Sequence, residues 1–317
     1  MTHLVQSFFM APGEAPVVYI NDPLLRVHGV QLAIKREDML HPVVSGNKWR
    51  KLKYNLLEAT EQGCKRLLSF GGAYSNHIHA LASVGKELDF TTIGVIRGES
   101  FAADNPSLVE VRSFGMQLHF VDRDTYRCRN DADYINTLQQ RFGPCYLIPE
   151  GGSTPLAVKG VTELWQEVDE AFDYVALAAG TGATASGVIL GAPVGTEVRV
   201  YAVLKGAGFL CHEISAYLGD EGSLASWQVF QEYHFGGYAR ITPQLVAFMD
   251  RFEALHKIPL DPIYTAKMLY AVYAQIRSGD IAPGSKILAI HTGGLQGRRG
   301  MEAKMQTLRA HDDYGYA

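Results

Sequence analysis

Lys48 stands in the stretch Ser45-Gly46-Asn47-Lys48-Trp49-Arg50-Lys51-Leu52, and its position there is what gives it chemistry. Ser45 is suited to cap a helix, Leu52, Leu56 and Ala59 then recur at helical spacing, and Gly63 offers a stop, so Lys48 is expected in a first helical turn. There the positive end of the helix dipole disfavours an ammonium and leaves more of the neutral amine that attacks carbonyl groups. A lysine on a helix is also ordinary surface. A nucleophile therefore needs neighbours that could hold its target.

Three glycine-bearing turns follow runs with strand character: 71–77, 180–187 and 291–294. Ligands of open α/β sheets bind where such turns lie, at the carboxyl ends of strands. Glycine lets backbone N–H groups approach an anion, and the next helix adds its dipole, which makes the second turn the best phosphate cup. One such turn alone marks only a tight connection; three of them together with Lys48 describe a site. The second turn also satisfies G-x-G-x-x-A through Gly180, Gly182 and Ala185, so a nicotinamide-dependent oxidoreductase stays an alternative. Its usual acidic partner is missing, because the next strand, 198–204, runs into Lys205, which could instead meet a ribose phosphate.

The elements that must position these residues alternate. Strand-like runs at 66–70, 91–96, 117–121 and 146–149 are separated by helical patterns at 77–88, 106–114 and 131–142. A helix at 156–171 and apolar strands at 174–179, 198–204 and 286–290 follow. This is an α/β chain with mostly parallel sheets. At 317 residues it is long enough for two domains.

Hydrophobic residues make up 47% of the chain and charged ones 20%, as in soluble globular proteins, and the formal charge of -4 leaves no basic excess for nucleic acid or anionic lipid. No charge occurs from 174 to 196, but glycines interrupt that stretch and argue against a membrane span. Cys64, Cys128, Cys145 and Cys211 form no CxxC pair, so no metal site or disulfide framework is expected and a cytoplasmic setting is. Residues 4–10 are apolar but too short, and without basic flank, for a signal peptide.

Taken in order, Lys35-Arg36-Glu37-Asp38, Ser45-Gly46-Asn47-Lys48, Ser75-Asn76-His77, Glu150-Gly151-Gly152-Ser153, Gly180-Thr181-Gly182, Asp261-Pro262-Ile263-Tyr264 and His291-Thr292-Gly293-Gly294 resemble a known family. It is that of the pyridoxal-phosphate enzymes with the tryptophan-synthase β-subunit fold, and most closely the 1-aminocyclopropane-1-carboxylate deaminases and D-cysteine desulfhydrases. The resemblance implies fold type II: two domains, each an open, mostly parallel twisted sheet flanked by helices. A large cofactor-binding domain would comprise 1–48 and 152–317, with 49–151 inserted as a small domain, in a homodimer.

The same resemblance implies that Lys48 holds pyridoxal 5'-phosphate covalently and Lys51 helps hold its phosphate. Asn76 would meet the ring hydroxyl, Ser75 the substrate carboxylate, and Gly180, Thr181, Gly182, Ala183 and Thr184 would wrap the phosphate. Tyr264 and Tyr238 complete the substrate side, and Thr292 joins the cofactor contacts. Thr265 and Thr292 match the desulfhydrase branch, where ring-opening enzymes carry glutamate and leucine. A hydroxyl stabilises a protonated pyridine ring less than a carboxylate does, which suits elimination of a good leaving group. The expectation is D-cysteine converted to pyruvate, sulfide and ammonia; the alternatives are ring opening of 1-aminocyclopropane-1-carboxylate and a ligand-binding homologue without turnover. The chain departs from the family pattern at Tyr74, Arg97-Gly98-Glu99, Ala183 and Leu295-Gln296-Gly297, all but Ala183 on the substrate side.

Overall fold

The computed structural model describes residues 1–98, 105–220 and 222–312; Glu99, in one of the departures just named, lies outside them. The first part of the chain runs α1 (Thr2–Phe9), β1 (Val17–Tyr19), α2 (Pro23–Val27), β2 (Gln31–Lys35), α3 (Asn47–Glu61), β3 (Arg66–Gly72), α4 (Asn76–Glu87), β4 (Thr91–Arg97), α5 (Pro106–Ser113), β5 (Gln117–Val121), α6 (Arg123–Arg127), α7 (Ala132–Phe142) and β6 (Tyr146–Ile148). The remainder runs α8 (Pro155–Thr162), β7 (Tyr174–Ala179), α9 (Gly182–Gly191), β8 (Glu197–Ala202), α10 (Phe209–Leu218), β9 (Ser226–Phe230), α11 (Pro243–His256), α12 (Thr265–Ser278), β10 (Lys286–Ile290) and α13 (Glu302–Asp312).

Two sheets result. The six-stranded sheet has the order β1-β2-β10-β7-β8-β9, parallel except for β1, and the four-stranded sheet has the order β5-β4-β3-β6, parallel throughout. Both faces of the larger sheet are buried, which explains its near-continuous apolar strands. Ala176, Ala178 and Tyr201 pack with α11 and α12 on one side, while Val175, Leu177 and Val200 pack with α9 and α10 on the other. The uncharged stretch at 174–196 is thus β7, a turn and α9, and among the described residues no helix is long and apolar enough to cross a membrane.

The helix expected at 156–171 ends at Thr162 and continues as 3-10 turns over Glu163–Glu167. The side chains beyond Thr162 are anchored in several directions at once. Glu163 accepts from Lys53 at 2.7 Å and Tyr54 at 2.6 Å, the Trp165 indole donates to the Val188 carbonyl at 2.9 Å, and Glu167 accepts from Lys35 at 2.8 Å and Arg50 at 2.9 Å. The short strands β1, β2 and β9 were not marked by the sequence pattern. Ser45 does not cap α3 either. Its N-cap is Gly46, at φ 64°, without a side-chain cap bond; a Cβ there would stand 2.0 Å from the Thr292 carbonyl oxygen. That carbonyl accepts from Asn47 N–H at 3.2 Å, so the turn after β10 supplies the cap that a side chain would otherwise provide.

α3 is held down by buried charge as well. The Arg50 guanidinium donates to Glu37 at 2.5 and 2.8 Å and to Glu167 at 2.9 Å, and Glu37 and Arg50 are almost wholly buried.

Candidate active site

The predicted site residues sit just beyond the carboxyl ends of parallel strands from both sheets. β3 leads through Ser75 into α4, β7 leads through Gly180 and Thr181 into α9, and β10 leads into His291-Thr292-Gly293-Gly294. Lys48 occupies the first turn of α3, as its spacing predicted, and its pKa falls to about 8. The cause is loss of hydration on burial. The helix dipole invoked from sequence is not needed.

Lys51, one turn on, is 1% exposed, and its Nζ donates to Ser153 Oγ at 3.3 Å. No carboxylate pairs with it among the described residues. Burial, and then repulsion from Lys48, drives its pKa well down, while Glu213 pulls it back. The Ser153 hydroxyl in turn donates to Thr181 Oγ1 at 2.9 Å, and Asn47 Nδ2 donates to Thr184 Oγ1 at 2.9 Å, so the starts of α3 and α9 are tied together. Gly180 lies under Tyr264, whose Cε1 is 3.3 Å from where a Cβ on Gly180 would stand. Tyr264 meets Tyr238 edge to face, with ring centroids 6.2 Å apart. Burial, then Tyr238 and Asp261, holds the Tyr264 phenol well above its ordinary pKa.

Asn76 opens α4 and reaches the turn after β10: its Nδ2 and Oδ1 lie 2.9 and 3.1 Å from the Cβ positions of Gly294 and Gly297. Ser75 is the N-cap of α4, its Oγ accepting from Ile78 N–H at 3.3 Å. Gly182 and Ala183 are buried in the first turn of α9. Thr292, 8% exposed, backs onto Gly46. Thr265 differs from expectation. Its hydroxyl is spent on Asp261, donating to Oδ1 at 2.8 Å, and the same carboxylate accepts from the backbone N–H groups of Ile263, Tyr264 and Thr265 at 2.8 to 3.0 Å. Thr265 therefore shapes the start of α12 and offers no free hydroxyl.

Besides Ser153, two residues at the site, His77 and Glu213, had no role from sequence. Ser69 Oγ donates to the Ile148 carbonyl at 2.6 Å, so it accepts from His77 Nε2–H at 2.8 Å, which leaves His77 Nδ1 bare, buried and unpartnered. Burial, then Lys48 and Lys51, pushes the His77 pKa well below its usual value. Glu213, on α10, places Oε2 2.9 Å from Gly182 N–H, at the N-terminus of α9. The Ser-Asn-His triplet after a strand could have flagged His77. No sequence signal marks Glu213, which lies about 30 residues beyond the turn that it meets.

A buried ammonium without a paired carboxylate, beside a second lysine and a helix N-terminus lined by hydroxyls, is a setting that calls for a dianion. The residues present fit a phosphate group and, at Lys48, the carbonyl carbon of its bearer.

A family described as pyridoxal-phosphate dependent enzyme matches residues 9–293. The chain belongs to this family. Its cofactor is accordingly pyridoxal phosphate, and the nicotinamide alternative falls. The chain is 29% identical to the bifunctional D-cysteine desulfhydrase/1-aminocyclopropane-1-carboxylate deaminase, mitochondrial, of Arabidopsis thaliana, over 92% of this chain and 79% of that one. It is 26% identical to the D-cysteine desulfhydrase of Yersinia pestis over 84% of this chain and 87% of the other. The crystal structure of an ACC deaminase homologue superposes with a TM-score of 0.80 at 27% identity, covering 97% of this chain and 98% of that one.

Proposed function

We propose that this enzyme carries out α,β-elimination on a small amino acid, with D-cysteine the best substrate, releasing pyruvate, sulfide and ammonia. The observation that carries the choice is the state of Asp261: this buried carboxylate is consumed by four donors from its own helix start, and the turn after β10 presents Thr292. No free carboxylate among these residues is left to stabilise a protonated ring nitrogen. When bound, pyridoxal phosphate supplies the electron sink that makes the α-proton of an amino acid removable.

The chain's own groups do the rest. Lys51, Ser153 and the N–H groups of Gly180 to Thr184 are suited to the phosphate, and Asn76 to the ring hydroxyl. Ser75 and the start of α4 suit the substrate carboxylate. Lys48 would hold the cofactor through its amine, and as a free amine, whose pKa burial lowers to about 8, it would be the group to take the α-proton. The Cβ–S bond then breaks with its electron pair on sulfur. Tyr264, held as a neutral phenol, is a donor toward that sulfur and is no base at neutral pH.

The sheet division supports a large domain of 1–48 and 152–317 around a small one of 49–151, and four free thiols suit a reducing, cytoplasmic setting. A homodimer follows from the family resemblance. The second reading, ring opening, is favoured equally by the relatives, since one of them carries both names. Assaying both substrates on one cofactor-saturated preparation decides: D-cysteine should yield pyruvate faster than 1-aminocyclopropane-1-carboxylate yields 2-oxobutanoate, and the reverse order removes the proposal.

A further inference from the structure

β3 and β4 end side by side, with Gly72 paired to Arg97 across the ladder. Three and four residues after Gly72 come Ser75 and Asn76, so Arg97 stands on the same edge as the start of α4. Its guanidinium carbon lies 5.4 Å from the Tyr126 ring centroid, and its Nη2 is 3.7 Å from where a Cβ on Gly72 would be. Arg97 is close enough to act electrostatically on Tyr238, the edge-on partner of Tyr264.

The neighbouring carboxylate is already taken. Glu150 accepts from Arg129 at 2.7 Å and from the Tyr126 hydroxyl at 2.8 Å. Among the described residues Arg97 forms no ion pair. Arg129 shares the Tyr126 ring, its guanidinium carbon 5.3 Å from the centroid, but Arg129 is held by Glu150. Arg97 is therefore the guanidinium of the two left without a carboxylate and able to take an oxyanion through two parallel bonds.

We propose that Arg97 is a specificity residue that selects amino acids whose β-substituent carries negative charge or departs with it. This deepens the elimination reading and rests on it. Thiolate leaving from cysteine is one case, and a β-carboxylate, sulfinate or sulfonate is the fuller one. The cyclopropane substrate, whose only anion is its α-carboxylate, gains nothing from this residue.

The test separates Arg97 from the reaction by using amino acids that cannot eliminate because they lack an α-hydrogen. α-Methylaspartate and α-methylserine, each as both enantiomers, are titrated into the cofactor-loaded protein and into Arg97→Met and Arg97→Lys, with binding read by calorimetry. The loss of one charge-assisted pair predicts that Arg97→Met weakens α-methylaspartate about 30-fold relative to α-methylserine. Arg97→Lys should recover part of that ratio, and the wild-type preference should shrink with added salt. An unchanged ratio in Arg97→Met, with the cofactor still bound, overturns the proposal. Turnover on the same preparations is read separately. If the wild type eliminates from no substrate while the binding ratio still falls in Arg97→Met, the elimination reading fails and the role of Arg97 stands.

Discussion

Lys48 offers more free amine near neutral pH than an exposed lysine because its surroundings withhold water from the charged form. With a pKa near 8 for the amine that substrate sets free, the acid limb of kcat should rise about tenfold per pH unit up to about pH 8 and then level. A limb that continues to climb toward pH 10 would show an amine in ordinary solvent. A second prediction concerns Glu213, whose carboxylate sits on Gly182 N–H where a phosphate oxygen would be received. Glu213→Gln removes the competing negative charge, so the affinity for pyridoxal phosphate should increase about tenfold, measured by equilibrium dialysis; weaker binding would mean that the carboxylate orients the cup instead. Lys48, Asn76 and the 180–184 turn were legible in the sequence because each falls in a contiguous motif just after a strand. Glu213, Ser153 and the setting of His77 were not, since their partners come from 8 to more than 100 residues away and only the fold brings them together.

At the scale of elements, the start of α3 and the turn after β10 form one unit. Gly46 carries a positive φ with its Cα against the Thr292 carbonyl, and Gly293 answers from the other side, its Cβ position 2.9 Å from Ser45 Oγ. Gly46→Ala should therefore cost about 2 kcal/mol or more, seen as a lowered Tm. It should also weaken cofactor binding, because Lys48 moves with the helix start; a variant with native stability and native affinity would show that this contact is loose. Helical periodicity located α3 well but misplaced its cap. Ser45 looked right by residue type, and the true donor to the helix start belongs to a turn nearly 250 residues on. The over-long helix at 156–171 failed for a related reason: apolar spacing persists there while ion pairs pull the backbone out of α geometry.

The whole molecule tolerates two crowded lysines at a cost that depends on pH. A lysine whose folded pKa is lowered binds fewer protons folded than unfolded. For Lys48 the stability contribution is therefore poorest below about pH 8 and recovers as pH rises toward the unfolded value of about 10.5. A bound dianion offsets the penalty. Pyridoxine 5'-phosphate, which has no aldehyde to react with Lys48, should raise Tm more at pH 7 than at pH 9.5, and an equal shift at both would mean that the lysines do not face the phosphate. The alternation of strands and helices made the α/β class legible and the family resemblance implied its two sheets, whereas β1, β2 and β9 escaped the strand pattern because such short runs give little periodicity. The position of β10 has a consequence for how the protein comes into being. The last strand made lies between β2 and β7, among the first and middle ones. Before β10 is made, nothing can hydrogen-bond β2 to β7, so β1-β2 and β7-β8-β9 have no strand to join them. Until residues 286–293 emerge, Gly46 has no Thr292 to rest on and the start of α3 lacks its cap. The cofactor site is thus among the final things to close, and pyridoxal phosphate can seal this fold but cannot template the 285 residues that precede β10.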